Sequence, residues 1–298
     1  MFENIIGNEK IKETLIRAVE ENKTSHSYMF IGQDGIGKKM LAKEFAKMLL
    51  CLSDEKYCNK CKSCIEFNSN NQPDFLCIEP DGNSIKIDQI RYLQQKIQEK
   101  PIISNNKVYI INDADKMTTE AQNCLLKTLE EPPQYATLIL IGANENSFLS
   151  TIKSRCMIIH FKKIEDEKLR EYIEKTYEIT VTPNMLALFQ GSIGKAIQLK
   201  DKIDDYTKIE NIIKNLQIKD IIDIINMSEI LYKSKEEIFE ILDYINVILL
   251  KLAKQDYKYT DCVKIVENTK KRLKQNANYD MCIDNMVFNM WEEVNWKI

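Results

Sequence analysis

Glycine and proline are scarce in this 298-residue chain, at eight and six. Eight glycines are about 2.7% of the residues against a usual share near 7%, so each one kept marks a backbone position that needs it. Three of the eight, Gly32, Gly35 and Gly37, fall within six residues. Beyond Gly194, residues 195–298 hold no glycine and no proline. The commonest breakers and turn-formers are therefore absent there, which predicts an almost wholly helical last third.

Other absences narrow the function classes. No stretch of about 18 apolar residues occurs, and Met1-Phe2-Glu3-Asn4 lacks the basic-then-apolar pattern of a secretory signal. The expectation is a cytoplasmic chain with no membrane partner. Histidine is nearly missing: His26 and His160 are too few for histidine-based metal chemistry, and neither has an evident Ser or Cys partner for nucleophilic catalysis. No basic excess exists either. The formal net charge is −3, and residues 204–298 hold 14 basic and 17 acidic side chains, leaving 28 of each upstream. High-affinity nucleic-acid binding by the chain alone is thereby disfavoured, and partners would supply most of the positive field at any DNA contact.

What is present reads as a sizeable globular chain, 44% hydrophobic and long enough for two or more domains. Strand-like runs at Tyr28–Ile31, Phe75–Ile78, Val108–Ile111, Leu138–Ile141 and Met157–Phe161 alternate with helical patterns near 8–21, 38–51, 88–99 and 119–131. That rhythm predicts a five-stranded parallel sheet flanked by helices. Thr119 with Gln122 reads as a capping box, and Pro132-Pro133 ends the helix it opens. From about 164 the strands stop. Ile238, Ile241, Leu242, Ile245, Ile248, Leu249 and Leu252 form one broad apolar stripe at helical spacing, suited to a bundle core or to a subunit-packing face.

The clustered glycines belong to Gly32-Gln33-Asp34-Gly35-Ile36-Gly37-Lys38-Lys39, between a strand and a helix. This is the context of a Walker A phosphate loop, in which backbone N–H groups cradle phosphate and Lys38 stands beside the β- and γ-phosphates. The last position should carry a Ser or Thr hydroxyl for Mg²⁺, and here it is Lys39. An ammonium has no lone pair for a metal. In Lys107-Val108-Tyr109-Ile110-Ile111-Asn112-Asp113, Asn112 stands where the metal-side Asp of an ATPase belongs and Asp113 where the water-orienting Glu belongs. Three departures together predict a loop that binds ATP or ADP weakly or as scaffold and does not hydrolyse it.

Nine cysteines, an odd count, argue for metal ligands or buried thiols over disulfides. Cys51, Cys58, Cys61 and Cys64 follow C-x6-C-x2-C-x2-C. Four thiolates so spaced suit a closed structural zinc site; an iron–sulfur cluster and free thiols are the competing readings. Cys77, Cys124, Cys156, Cys262 and Cys282 lack such spacing and are expected to be buried thiols.

Thr151-Ile152-Lys153-Ser154-Arg155-Cys156 precedes the last strand. Together with Phe2-Glu3-Asn4-Ile5-Ile6-Gly7, His26 before Tyr28, the Gly-Ile-Gly-Lys-Lys loop, the four-Cys insertion and Leu125-Leu126-Lys127-Thr128-Leu129-Glu130-Glu131-Pro132, it resembles the AAA+ subunits of the bacterial DNA polymerase III clamp loader. The match covers about residues 1–160. It implies a RecA-like α/β AAA+ domain over 1–162 with a zinc module at 51–64, a small helical lid over 163–203, and an all-α collar for oligomerisation over 204–298. It further implies a hetero-pentamer with delta and tau or gamma subunits that loads the sliding clamp onto primed DNA. Arg155 matches the arginine that reaches in trans to a neighbour's ATP. Gly191-Ser192-Ile193-Gly194-Lys195 resembles the second sensor, with Lys195 where Arg is common, and Asn144 is similar to the first. Ile87, Asp88, Ile90 and Arg91 resemble a helix start that approaches DNA; a plain amphipathic helix is the alternative. A non-hydrolysing stator subunit is the expected role, against two alternatives: an active tau- or gamma-type ATPase with a divergent site, or a zinc-dependent DNA-binding module.

Overall fold

The computed structural model describes Phe2 and residues 5–296, with the side chains of Ile221 and Trp296 excepted. Glu3 and Asn4 of the opening motif and the last two residues of the expected collar lie outside the described residues. The chain divides into two compact units, Met1–Leu169 with Gly191–Gly194, and Arg170–Gln190 with Lys195–Ile298.

The first unit holds α1 (Glu9–Glu20), β1 (Ser27–Ile31), α2 (Lys38–Leu50), α3 (Lys62–Asn68), β2 (Phe75–Ile78), α4 (Ile87–Gln98), β3 (Lys107–Ile111), α5 (Thr119–Glu130), β4 (Ala136–Gly142), α6 (Ser150–Lys153) and β5 (Met157–His160). All strand pairs are parallel, in the order β2-β3-β4-β1-β5. Every residue of β1, β3 and β4 is buried, the continuous apolar habit of a sheet covered on both faces. Side-chain alternation sends Tyr28, Phe30, Val108, Ile110, Ile139 and Ile141 to one face against Leu15, Leu41 and Phe45 of α1 and α2. Met29, Ile31, Tyr109, Ile111, Leu138 and Leu140 go to the other, against Leu93, Ala121 and Leu125 of α4 and α5. The cap of α5 is Thr118, whose Oγ1 accepts from Ala121 N at 3.3 Å, one residue before the capping box expected at Thr119. The register shifts because Thr119 is already helical, while Thr118 keeps the extended backbone a cap requires.

Helices follow from α7 (Asp166–Tyr177) through α8 (Pro183–Phe189), α9 (Ile193–Leu199), α10 (Ile203–Lys214), α11 (Ile221–Lys233), α12 (Ile238–Ala253) and α13 (Tyr259–Lys274) to α14 (Tyr279–Trp296). In the second unit the apolar stripe of α12 is buried from Ile238 to Leu249 against α8, α10 and α13, as the bundle-core reading requires, while Leu252 is only half-buried. Among the described residues no helix is long and apolar enough to cross a membrane.

Candidate functional site

The glycine loop leaves the carboxyl end of β1, where ligands meet parallel sheets. Gly35 and Gly37 have φ +75° and +92°, a region closed to most side chains. At Gly35 space forbids a side chain as well: a Cβ would collide with Ser192 Oγ and stand 3.0 Å from Gly194 Cα. Ser192 Oγ donates to Asp34 O at 2.9 Å and Gly194 N to Gly35 O at 2.9 Å, so the Gly191–Gly194 segment is laid directly on the loop. Lys195, the next residue, starts the second unit's longer segment and is half-buried in α9.

Gly37 is the N-cap of α2 and supplies no side-chain cap, so the dipole end of a 13-residue helix opens onto the loop. Lys38 is 6% exposed. Its Nζ donates to Gly32 O, to Gln33 O at 2.8 Å and to Asp34 Oδ1 at 3.3 Å, which turns its charge onto the loop's own acceptors. Lys39 pairs with Glu79 Oε1 at 2.5 Å, just beyond β2. That hydrogen bond, with the charge of Glu79 and the nearby Asp113, raises its pKa against a desolvation penalty, so the ammonium is held beside Glu79. Asn112 follows β3 and its N–H donates to Ile78 O at 2.9 Å. Asp113 has φ +49° and pairs with Lys116 at 2.9 Å. The fold thus brings Gly32, Gly35, Gly37, Lys38, Lys39, Asn112 and Asp113 together at one end of the sheet.

Two anchors there escaped the sequence reading. Glu79 carried no motif, and Asp115, whose Oδ2 accepts from Ala143 N at 3.1 Å and Asn144 N at 3.2 Å, holds the loop after β4. The Asn144 side chain is engaged locally, accepting from Asn146 N at 3.0 Å.

Arg155 lies at the other end. It precedes β5, whose Met157 pairs with Tyr28 near the start of β1, whereas the phosphate loop follows Ile31. The four paired residues between are about 13 Å of strand. Arg155 therefore lies at the end of the sheet opposite its own loop. Its Nη2 is 2.8 Å from Glu130 Oε1, and its Nη1 donates to Thr151 O at 2.8 Å and Ser154 Oγ at 3.3 Å. Beside it Cys156 packs on the core, and burial pushes that thiol up to about 12.

The four cysteines converge between the end of α2 and α3. Their Sγ atoms all lie within 4.8 Å of one another, with Cys51–Cys58 at 3.6 Å and Cys51–Cys61 at 4.0 Å. Metal–sulfur bonds near 2.3 Å in a tetrahedron require sulfurs about 3.8 Å apart, so this set fits a thiolate-preferring ion such as zinc. Cys58 accepts from Cys61 N at 3.3 Å. Backbone N–H groups of Lys60 and Cys61 bring its pKa down to about 6, whereas burial raises those of Cys51 and Cys64. The cluster is seated through Ser63, whose Oγ donates to Leu50 O at 2.7 Å and meets Ser104 Oγ at 2.9 Å. Of the remaining thiols, Cys262 and Cys282 are buried as expected, while Cys77, Cys124 and Cys156 are only half-buried.

Residues 7–165 match the family model described as DNA polymerase III, delta subunit. The chain is 34% identical over 194 residues to DNA polymerase III subunit delta' of Bacillus subtilis, covering 64% of this chain and 58% of that protein. It is 33% identical over 220 residues to DNA polymerase III subunit gamma/tau of Mycoplasma genitalium, covering 71% of this chain and 37% of that one. The chain thus spans about three fifths of the first relative's length and little more than a third of the second's. A solved DNA polymerase III gamma subunit-related protein from Thermotoga maritima shares the fold, with a TM-score of 0.50 at 18% identity over 95% of this chain and 99% of that one.

Proposed function

The chain belongs to the DNA polymerase III delta family, on its delta-prime branch, and on that premise we propose that it is the non-hydrolysing stator of a clamp loader. In this reading it presents Arg155 to ATP held by a neighbouring tau or gamma subunit, within a cytoplasmic hetero-pentamer that also contains delta and sets the sliding clamp on primed DNA. The observation that carries the reading is the opposition of Arg155 and the chain's own phosphate loop across the sheet. An arginine so placed is out of reach of phosphates at its own loop, and on this reading it would neutralise charge developing on a phosphoryl group transferred on a neighbouring subunit.

Lys39 and Asn112 support the other half. The Lys39 ammonium, held by Glu79, stands where a metal-binding hydroxyl is needed, and a neutral Asn112 replaces a carboxylate. Lys38 and the helix end leave a cradle for ATP or ADP as scaffold. The four thiolates would hold a structural zinc that ties α2 to α3. Residues 1–162, 163–203 and 204–298 would act as AAA+ domain, lid and collar.

Steady-state ATPase of the purified chain with Mg²⁺ and primed DNA tests the reading. Turnover near about 1 s⁻¹, abolished by Lys38→Ala, would overturn it in favour of an active tau- or gamma-type subunit, the alternative that similarity to the gamma/tau relative keeps in play.

A further inference from the structure

We propose that Glu130 is the positioning residue for Arg155, its carboxylate holding the guanidinium ready to meet the phosphates of a nucleoside triphosphate on a neighbouring subunit. The inference rests on the reading of Arg155 as a trans-acting finger.

The guanidinium is gripped by three acceptors from two elements. Glu130 Oε1, at the end of α5, takes Nη2 at 2.8 Å; Thr151 O and Ser154 Oγ, in and just after α6, take Nη1 at 2.8 and 3.3 Å. Both elements are anchored: Leu129, beside Glu130, is buried, and so is Ile152 in α6. The two charged side chains themselves stay on the surface, 34% exposed for Arg155 and 50% for Glu130. An ion pair so exposed adds little to folding stability. What it does instead is remove rotamer freedom from a long side chain before a partner arrives.

A guanidinium carries five N–H donors, and the three contacts use at most three. Donors remain for a phosphate oxygen while the carboxylate still holds the group in place. A pre-set arginine loses less entropy on engagement than a free one. Because misplacement of a reacting partner acts on the rate, Glu130 should influence turnover more than nucleotide binding.

The test uses the loader assembled from the full chain and its partner subunits, with sliding clamp and primed DNA, and measures ATPase kcat and KM. Glu130→Gln and Glu130→Ala should each lower kcat, by up to about tenfold for Ala, with KM for ATP and the mass of the assembly unchanged. In an Arg155→Ala background, Glu130→Gln should produce no further loss, the non-additivity expected of residues acting as one. Wild-type kcat in the Glu130 variants overturns the proposal, as does a raised kcat, which would make Glu130 a brake. A loss that persists in the Arg155→Ala background, or a failure of Glu130→Gln to assemble, makes Glu130 structural and overturns it too. If Arg155→Ala alone keeps full turnover in an intact assembly, the finger reading itself falls.

Discussion

Glu210 is 2% exposed in α10 and is surrounded by donors. Thr182 Oγ1 and Asn184 Nδ2 each donate to it at 2.8 Å, Tyr244 OH of α12 donates to Oε2, and Lys214 pairs with Oε1 at 2.6 Å. Glu210→Gln keeps the shape but exchanges one acceptor oxygen for an NH₂ that faces donors. Hydrogen bonds to a charged group are worth about 1.5–3 kcal/mol each. Lys214 is half exposed, so its share is discounted. Losing one buried bond and weakening another should cost about 3 kcal/mol at neutral pH. The indole N–H of Trp291 in α14 donates to Lys219 O at 3.0 Å, both within the second unit, so tryptophan fluorescence during urea titration reports on that unit. With a slope of about 2 kcal/mol/M, the midpoint should fall by roughly 1.5 M. The pH dependence has a definite sign. Burial raises the Glu210 pKa, but the bonds from Lys214, Tyr244 and Thr182 outweigh it and leave the value below the ordinary one. Its contribution is therefore complete above the unfolded value near 4.3 and is lost as pH falls through the lower folded value. The gap between wild type and Glu210→Gln should close over that range. A midpoint change under about 0.3 M at pH 7 would refute the reasoning, since bonds of this kind cannot be so weak if the carboxylate is ionised and buried.

Cys58→Ser should remove the metal, so that elemental analysis falls from about one zinc per chain toward none; a wild-type preparation free of zinc, made without chelator, would count against the site. Lys39→Ser with Asn112→Asp restores the oxygen donors the loop lacks, and should raise Mg²⁺-dependent affinity for ADP by at least about tenfold in calorimetry. Equal affinity in the two proteins would mean that the two positions do not govern metal access. Gly35→Ala combines a left-handed backbone with a collision at Ser192 and should cost about 1–3 kcal/mol, read as a lowered thermal midpoint; an unchanged midpoint would argue that the loop relaxes freely.

Strands and helices were legible in the sequence because they are local. Tyr28–Ile31 and Val108–Ile111 stand out as apolar runs, and the observed strands extend them by one residue each, to Ser27 and Lys107. The phosphate loop and the four cysteines were legible for the same reason, since their spacing is written within a few residues. What stayed hidden joins distant positions. Glu79 is 40 residues from Lys39, and Ser192 is 158 from Asp34, so no window of the sequence pairs them. Glu130 stood inside a run already quoted, yet nothing local says that its carboxylate turns toward an arginine 25 residues on. The α5 cap was misplaced by one residue because Thr118 and Thr119 are chemically equal candidates, and only backbone conformation separates them.

A sheet whose two ends carry unlike equipment gives its domain a direction. Units that meet through an arginine at one end and a phosphate loop at the other can add only head to tail, through two different surfaces, never by a two-fold contact of like with like. A row built this way has a first member and a last. On the proposed reading the last would need a finger but no working loop, so Lys39 in place of a hydroxyl would cost such a row nothing and would mark where it stops.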